Sequence, residues 1–478
     1  MTYFDFDLSQ NFLIYCDEEL PMSVIEIALE GCGSPADLLK SKIEERTARV
    51  KVIGLGYVGL PLALTVHESG FAVSGLDLNR ARVAAINGGA QVISYFEEGR
   101  VAEAVASGSF SATDDYASVT AADVILLCVP TPLSDKREPD LTQIIRAAES
   151  MSAHLRPGQL IVVESTVWPG ATSTLLRPIL ERSGLRAGED FFLGFSPERE
   201  DPGNQTHSTR TIPKIVGADD SVSRDLLETF YSQVVTQTVP VESCAIAEAV
   251  KLVENSFRTV NIALVNELKV ALDAMGIDVW TVIDAAATKP FGFMPFYPGP
   301  GIGGDCIPVS PAYLSWRALD VGSELPIVDL ARVRAAAAPS DLAVRIASDL
   351  NTKAETAIQG ARVLLLGVAY KKDVEDTRES PALYMMQHLE AMGAVCDFHD
   401  PYFPVLPQTR DHPTLAGRIS VHLSAETLAA YDAVVVTTDH TEVDYAAVAR
   451  HAPMIFDTRN VFDRAGIAID GDRTFVKI

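Results

Sequence analysis

The chain is poor in cysteine, poor in positive charge and without a long apolar run, and each shortage removes a class of function. Only six of its 478 residues are Cys: Cys16, Cys32, Cys128, Cys244, Cys306 and Cys396. None stands in a CxxC pair, so the spacing offers neither a zinc site nor a disulfide framework, and no metal is expected. That usage predicts reduced thiols in a cytoplasmic protein. Lys and Arg number 39 against 64 Asp and Glu, a net charge of −25. Nucleic acids and anionic membranes need a positive footprint, so neither is an expected partner. A small anionic ligand is still allowed, because it asks only for a local positive pocket. No apolar run reaches the 18 or so residues of a membrane span. No basic residue precedes Lys40, which argues against a signal peptide. With 31 Gly and 27 Pro the chain is not of low complexity.

What is present reads as about three domains at roughly 150 residues each, after an acidic preface over 1–47 with no recognisable chemistry. Within that preface 11–15 reads as a short strand and 22–29 as a helix. Over 48–240, short aliphatic strands alternate with helices: Val50–Ile53, Phe71–Asp77, Asp123–Val129 and Leu160–Glu164, with a helix over Pro61–Ser69. Such alternation predicts a parallel sheet covered on both faces. Residues 241–275 hold no Gly and no Pro after Pro240, and predict one helix roughly 50 Å long. That length suits a spine between domains or the core of a dimer within a helical middle domain over 241–350. From Arg362 the pattern restarts, with strands at Arg362–Gly367, Ala394–His399, 431–438 and Met454–Asp457 and a helix over Pro381–Met392. The expected fold is therefore α/β, two Rossmann-like domains joined by a long central helix, the second spanning 351–478.

Gly54-Leu-Gly56-Tyr57-Val58-Gly59 follows a strand and opens a helix, the context that makes GxGxxG a dinucleotide fingerprint. The glycines let the backbone approach a pyrophosphate at the helix N-terminus. Asp77 ends the next strand, where its carboxylate would accept from a ribose 2′-OH and repel a 2′-phosphate. NAD is thus favoured over NADP. Lys251, Asn255 and Arg258 are spaced to share one face of the long helix, with Leu252, Val253 and Phe257 supplying packing; read alone, such a stripe is solvated. The loop from Tyr297 to Pro308 sets Cys306 among four glycines and three prolines, a rigid turn able to ring a thiol with amide N–H groups, as a nucleophile needs. The bland alternative is a small buried hydrophobe. Ser196-Pro-Glu198-Arg199-Glu200 joins a candidate base to a cation. The segment Lys371–Pro381 carries cations that suit phosphate. Each of these two patches also reads as a surface salt-bridge cluster.

Together these segments resemble the UDP-glucose/GDP-mannose dehydrogenase family, and most closely its UDP-N-acetylglucosamine 6-dehydrogenase branch. The likeness runs through GLGYVGLPLA at Gly54–Ala63, VPTPL at Val129–Leu133, ESTVWPG at Glu164–Gly170 and SPEREDPGN at Ser196–Asn204. It continues in EAVKLVENSFRTVNIALVNEL at Glu248–Leu268, KPFGFMPFYPGPGIGG at Lys289–Gly304, AYKKDVEDTRESPA at Ala369–Ala382 and DTRN at Asp457–Asn460. The resemblance implies two successive NAD-dependent oxidations at C6 of a UDP-hexose, alcohol to uronic acid, in a homodimer or higher homo-oligomer. Cys306 would form a thiohemiacetal and then a thioester. Lys251 and Asn255 would steady the oxyanion, and Glu198 would manage a water or a proton. Arg199, Glu200, Arg258, Tyr370 and Lys371 map, with Lys251 and Asn255, to nucleotide-sugar contacts. Tyr57, Val58, Arg82, Thr131 and Thr166 map to the NAD site. So does Arg378, which the likeness directs to cofactor or substrate of a neighbouring subunit. Three positions depart from the pattern. Asp305 stands where His or Ser is usual, Ser310 where Asp is usual, and Val333–Pro339 where a polar stretch is usual. A carboxylate beside Cys306 disfavours the thiolate. The alternatives are thus a variant with an unusual nucleotide sugar or one stopping at the aldehyde, and a catalytically silent nucleotide-sugar binder.

Overall fold

Side chains in the run Val50–Ile53 alternate between the two faces of a strand, and both faces are buried. Val50 and Val52 pack with Leu126, Leu160 and Val162 on one side of the sheet, and Ile53 with Ile125, Leu127 and Ile161 on the other. A computed structural model describes residues 34–93, 99–201, 203, 204, 206–304, 306–469, 471 and 473–478; of Cys306 it describes the backbone alone. The expected strand at 11–15 and helix at 22–29 lie outside the described residues.

Eight strands form the first sheet: β1 (Arg49–Ile53), β2 (Ala72–Leu76), β3 (Phe110–Thr113), β4 (Val124–Leu127), β5 (Leu160–Val163), β6 (Phe192–Phe195), β7 (Lys214–Gly217) and β8 (Thr238–Val241). Their spatial order is β3-β2-β1-β4-β5-β6-β7-β8. Six are parallel, as expected. The sequence did not suggest that β7 would join β6 antiparallel, through the single pair Phe195↔Gly217. No helix is assigned among the described residues of the 196–213 connection, so the chain turns back there without the helical crossover a parallel neighbour needs. Strand β8 carries Pro240 and is tolerated because it is the sheet's edge.

The long helix spans Cys244–Ala274, 31 residues or about 46 Å. The Ser243 side chain caps it by accepting from the Ile246 amide. It ends where Gly276 takes φ +71° and the Ile277 amide returns to the Leu272 carbonyl. Packed along it are the helices Cys306–Asp320 and Pro326–Lys353. The second of these leads into a five-stranded parallel sheet of β9 (Arg362–Leu366), β10 (Val395–His399), β11 (Ala433–Val436), β12 (Met454–Asp457) and β13 (Thr474–Lys477), ordered β10-β9-β11-β12-β13. The α/β plan of two Rossmann-like sheets around a helical middle is the observed one. In both sheets the order reverses beside the first strand, and the carboxyl ends of the strands at that reversal are where such folds bind nucleotides.

Candidate active site

At the first reversal point, Gly54 leaves β1 with φ +92°, and its amide donates to the Leu76 carbonyl at 2.8 Å. A side chain at Gly54 would come within 2.6 Å of the Cys128 carbonyl, and one at Gly59 within 1.8 Å of the Gly54 carbonyl. Gly56 has open space beside it. The turn is therefore closed by two glycines and left bare by the third, at the start of the helix Gly59–Glu68, whose N-cap is Val58. Asp77 lies at the end of β2, nearly buried. Its carboxylate accepts from the Leu55 and Asn79 amides at 2.9 and 2.8 Å and from Arg82 Nη1 at 2.8 Å. That acid, bare glycine and free helix start fit the adenosine half of NAD. Thr131 follows β4, its carbonyl held by the Tyr313 hydroxyl at 2.9 Å. Thr166 is half-buried after β5, beside Ser165, whose hydroxyl donates to the Val129 carbonyl at 2.7 Å.

The helix spacing of Lys251, Asn255 and Arg258 proves to be two buried groups and one exposed. Lys251 and Asn255 are each 5% exposed, whereas Arg258 is open to solvent. Lys251 Nζ donates to Glu198 Oε2 at 2.9 Å, and Asn255 Nδ2 donates to the Ser310 hydroxyl at 2.9 Å. Burial pushes the Glu198 carboxyl up, but the Lys251 ammonium, the Glu200 amide and the charge of Lys214 hold it below the usual carboxylate range. A solvated stripe is thus the wrong reading for Lys251 and Asn255, because Glu198 and Ser310 cover that side of the helix. The reverse holds for Val253 and Phe257. They were expected to pack but are 55% and 50% exposed, since the buried face of the helix turns away from them.

Cys306 opens the helix Cys306–Asp320; its thiol, and the whole of Asp305, lie outside the described residues. The rest of the thiol loop leans on the C-terminal domain. A side chain at Gly303 would meet Tyr370 Cβ at 2.6 Å, and the Gly304 amide donates to the Arg378 carbonyl at 2.9 Å. Gly299 lies against the Arg459 guanidinium, whose Nε donates to the Thr437 carbonyl at 2.9 Å. Lys371 is ion-paired with Asp201. Arg199 binds Glu254 at 2.5 Å and the Pro213 carbonyl at 2.7 Å. Arg378 grips Asp376 at 2.6 Å and lays its guanidinium 4.1 Å from the ring centre of Tyr57. Within the single chain it thus lies beside the glycine turn.

Two cavities flank this core. A small one, about 20 Å³, is lined by Val58, Leu62, Glu164, Glu198, Glu200 and Lys214, among others. Its floor is a buried network that no motif in the sequence marks: Glu164 takes Lys214 Nζ at 2.6 Å and the Tyr231 hydroxyl. The signal available in the sequence was an acid ending β5 within ESTVWPG. Burial raises the Glu164 carboxyl, with Lys214 and Tyr231 pulling against it. Glu200 is pushed up to about 8 by burial and by the Glu198 charge. The larger cavity, about 390 Å³, lies between the thiol loop, the helix Pro326–Lys353 and the start of the helix Pro381–Ala391. Ile302, Ile307, Val333, Ala336 and Pro339 give it an apolar wall, and Arg137 and Glu379 face each other at its rim, 3.7 Å apart. Among the described residues no group of His, Cys, Asp and Glu could hold a metal, and no helix is long and apolar enough to cross a membrane.

Three family models match the chain in register with this architecture. The NAD-binding domain of the UDP-glucose/GDP-mannose dehydrogenase family matches 48–235, its central domain 245–334 and its UDP-binding domain 364–464. The chain is 35% identical to a UDP-N-acetyl-D-glucosamine 6-dehydrogenase of Pseudomonas aeruginosa over 82% of its length and 91% of the relative's. It is 32% identical to a UDP-N-acetyl-D-mannosamine dehydrogenase of Pyrococcus horikoshii, over 86% and 96%. A solved UDP-D-ManNAc dehydrogenase from P. horikoshii superposes with a TM-score of 0.79 at 30% identity, covering 89% of this chain and 98% of that one.

Proposed function

The chain belongs to the UDP-glucose/GDP-mannose dehydrogenase family, and from that premise we propose that it oxidises the C6 alcohol of a UDP-hexose, UDP-N-acetylglucosamine or UDP-glucose, to the uronic acid. NAD is its cofactor; in this reading two NAD are used in turn, each able to accept two electrons in one of two oxidations. The residues to hold it are Gly54, Gly56, Tyr57, Val58, Gly59, Asp77, Arg82, Thr131, Thr166 and Arg378. The observation that carries the reading is the buried pair of Lys251 and Asn255, each tied to a partner 50 or more residues away in sequence, Asn255 to the helix that Cys306 begins.

In this reading the Cys306 thiolate adds to the C6 aldehyde, forming the C–S bond of a thiohemiacetal. Oxidation of that adduct leaves a thioester, and water cleaves it to the acid. Asn255, fixed by Ser310, presents its amide to the C6 oxygen. Lys251 steadies the same oxygen and exchanges protons with Glu198. Arg199, Glu200, Arg258, Tyr370 and Lys371 complete the nucleotide-sugar contacts. Lys371 would exchange its bond to Asp201 for a phosphate.

A second copy of the chain is part of the proposal. Ile246, Val253, Phe257, Leu264 and Leu268 are 42–55% exposed and, at 100° per residue, fall within about 60° of one another on the long helix. This is an apolar stripe about 33 Å long, facing away from the chain's own core, and a two-fold partner with the same stripe would cover it. A cytoplasmic setting belongs to the same reading, supported by the free, buried thiols of Cys128, Cys244 and Cys396.

A second reading is favoured by the apolar wall of the larger cavity. Val333, Ala336 and Pro339, at the positions that depart from the family pattern, suit a nucleotide sugar with a bulkier or less polar substituent. Incubation with a panel of UDP- and GDP-sugars, counting NADH per sugar and weighing the product, tests both. Two NADH and a uronic acid from UDP-N-acetylglucosamine or UDP-glucose support the first reading. Turnover of another sugar alone supports the second, one NADH and an aldehyde would mark an arrested enzyme, and no NADH from any sugar overturns the proposal.

A further inference from the structure

Oxidising an alcohol to a carboxylate with two NAD and one water releases three protons per sugar. Those protons start at Lys251 and Glu198, which are almost entirely shut off from solvent. A way out is therefore required, and the small cavity is the space that adjoins Glu198. It has room for one water. Glu198 borders it and also accepts the backbone N–H of Glu200. The Glu200 carboxyl, Glu164 and Lys214 ring the remainder, while Val58 and Leu62 keep two sides apolar. Thr209, Ile212 and Pro213 also line it, and because Pro213 is exposed on the loop that returns the chain to β7, we take that side as its mouth.

We propose that Glu200 and a single water in this cavity conduct protons from the Lys251–Glu198 pair to solvent, an inference that rests on the dehydrogenase reading above. Lys251 gives its proton to the Glu198 carboxylate. Glu198 passes it to the water, and the water gives one of its own protons to the Glu200 carboxylate. Glu200 then releases it at the mouth, and all groups return to their starting states. From Glu198 onward the proton runs downhill: Glu198 is held low by Lys251, whereas burial and the Glu198 charge push Glu200 up to about 8, so Glu200 accepts when its carboxyl is ionised and the relay works best at pH 8 and above. The charged groups facing Glu200 are Glu198, Glu164, Arg199 and Lys214 around the cavity, and Arg100 from the helix Arg100–Ala106.

Glu200→Gln keeps the shape and matches the protonated form, so it folds as the wild type does. The expected result is a fall in kcat of about tenfold, at the low end of what proton transfer contributes. The wild-type rise of kcat through pH 8 disappears. Imidazole, supplied as a diffusible proton carrier, restores turnover in a concentration-dependent way. Thr209→Leu, which narrows the mouth without touching a charge, slows turnover in the same rescuable manner. Equal kcat and equal pH profiles in wild type and E200Q overturn the inference, and so does a loss that imidazole leaves unchanged. A wild-type chain yielding no NADH overturns the dehydrogenase reading and this outlet with it, which separates the two failures.

Discussion

The side-chain amide of Asn255 donates to the Ser310 hydroxyl at 2.9 Å, joining the middle of the 31-residue helix to the second turn of the helix that Cys306 begins. Ser310 is fully buried and Asn255 nearly so. The chain thus satisfies this buried amide with an uncharged acceptor.

Ser310→Ala strands that amide in a buried site. The variant should lose about 1–3 kcal/mol of unfolding free energy, measured by urea denaturation with the slope unchanged. Its turnover should fall as well, because the amide is free to leave the C6 oxygen.

Lys251 and Glu198 are each at most 10% exposed in their side chains. Removing one partner takes a buried charge's direct counter-ion away, so Lys251→Met or Glu198→Gln should cost about 3–5 kcal/mol. The double variant should regain much of that stability while its kcat stays about a hundredfold or more below wild type. Thermal unfolding and steady-state kinetics on the four proteins separate the two effects.

Asp77→Ala removes the acceptor for two amides and Arg82. KM for NAD should rise about tenfold or more, from lost charge-assisted hydrogen bonds, and KM for NADP should fall relative to it. An unchanged ratio of the two would remove Asp77 from the ribose site.

Glu200 and Asp376 carry pKa values raised by burial, to about 8 and about 6. Above the ordinary carboxyl range and below those values, the folded chain keeps protons that the unfolded chain gives up. Their contribution to stability is therefore complete at acidic pH and is lost as pH rises toward 8, at no more than about 1.4 kcal/mol per pH unit for each group. Denaturation between pH 5 and 8.5 should show this decline, and Glu200→Gln should flatten its upper part.

Leu264 sits at the centre of the exposed apolar stripe, 50% open in the single chain. Leu264→Asp should turn a dimer into a monomer, read as a halved mass in light scattering. A wild-type mass equal to one chain would remove the second copy from the proposal.

The dinucleotide turn was legible because its information is local. Three glycines, a strand before them, and an acid at the end of the next strand all lie within the 29 residues from Arg49 to Asp77. The spacing of Lys251 and Asn255 was legible too, but their burial was not. It is decided by Glu198, 53 residues upstream, and Ser310, 55 residues downstream. Arg258 has the same periodicity and ends up in solvent. The ion pairs of Arg199 with Glu254 and Lys371 with Asp201 were hidden for the same reason, as was the Glu164–Lys214 floor. Strands β3 and β8 escaped notice because FSAT and TVPV are four residues long and carry no aliphatic run. Pro308 reads as a loop residue but lies in the first turn of a helix, where no intrahelical N–H bond is lost.

Gly303 and Gly304 are moulded against Tyr370 and the carbonyl of Arg378, so the loop that leads into Cys306 is cast partly by the opposite end of the polypeptide. Grafting a foreign carboxy-terminal half onto this protein, to retune which nucleotide it prefers, would swap the mould along with the graft. Any such hybrid must bring the matching glycine loop with it, or its chemistry will be misaligned however well each half folds.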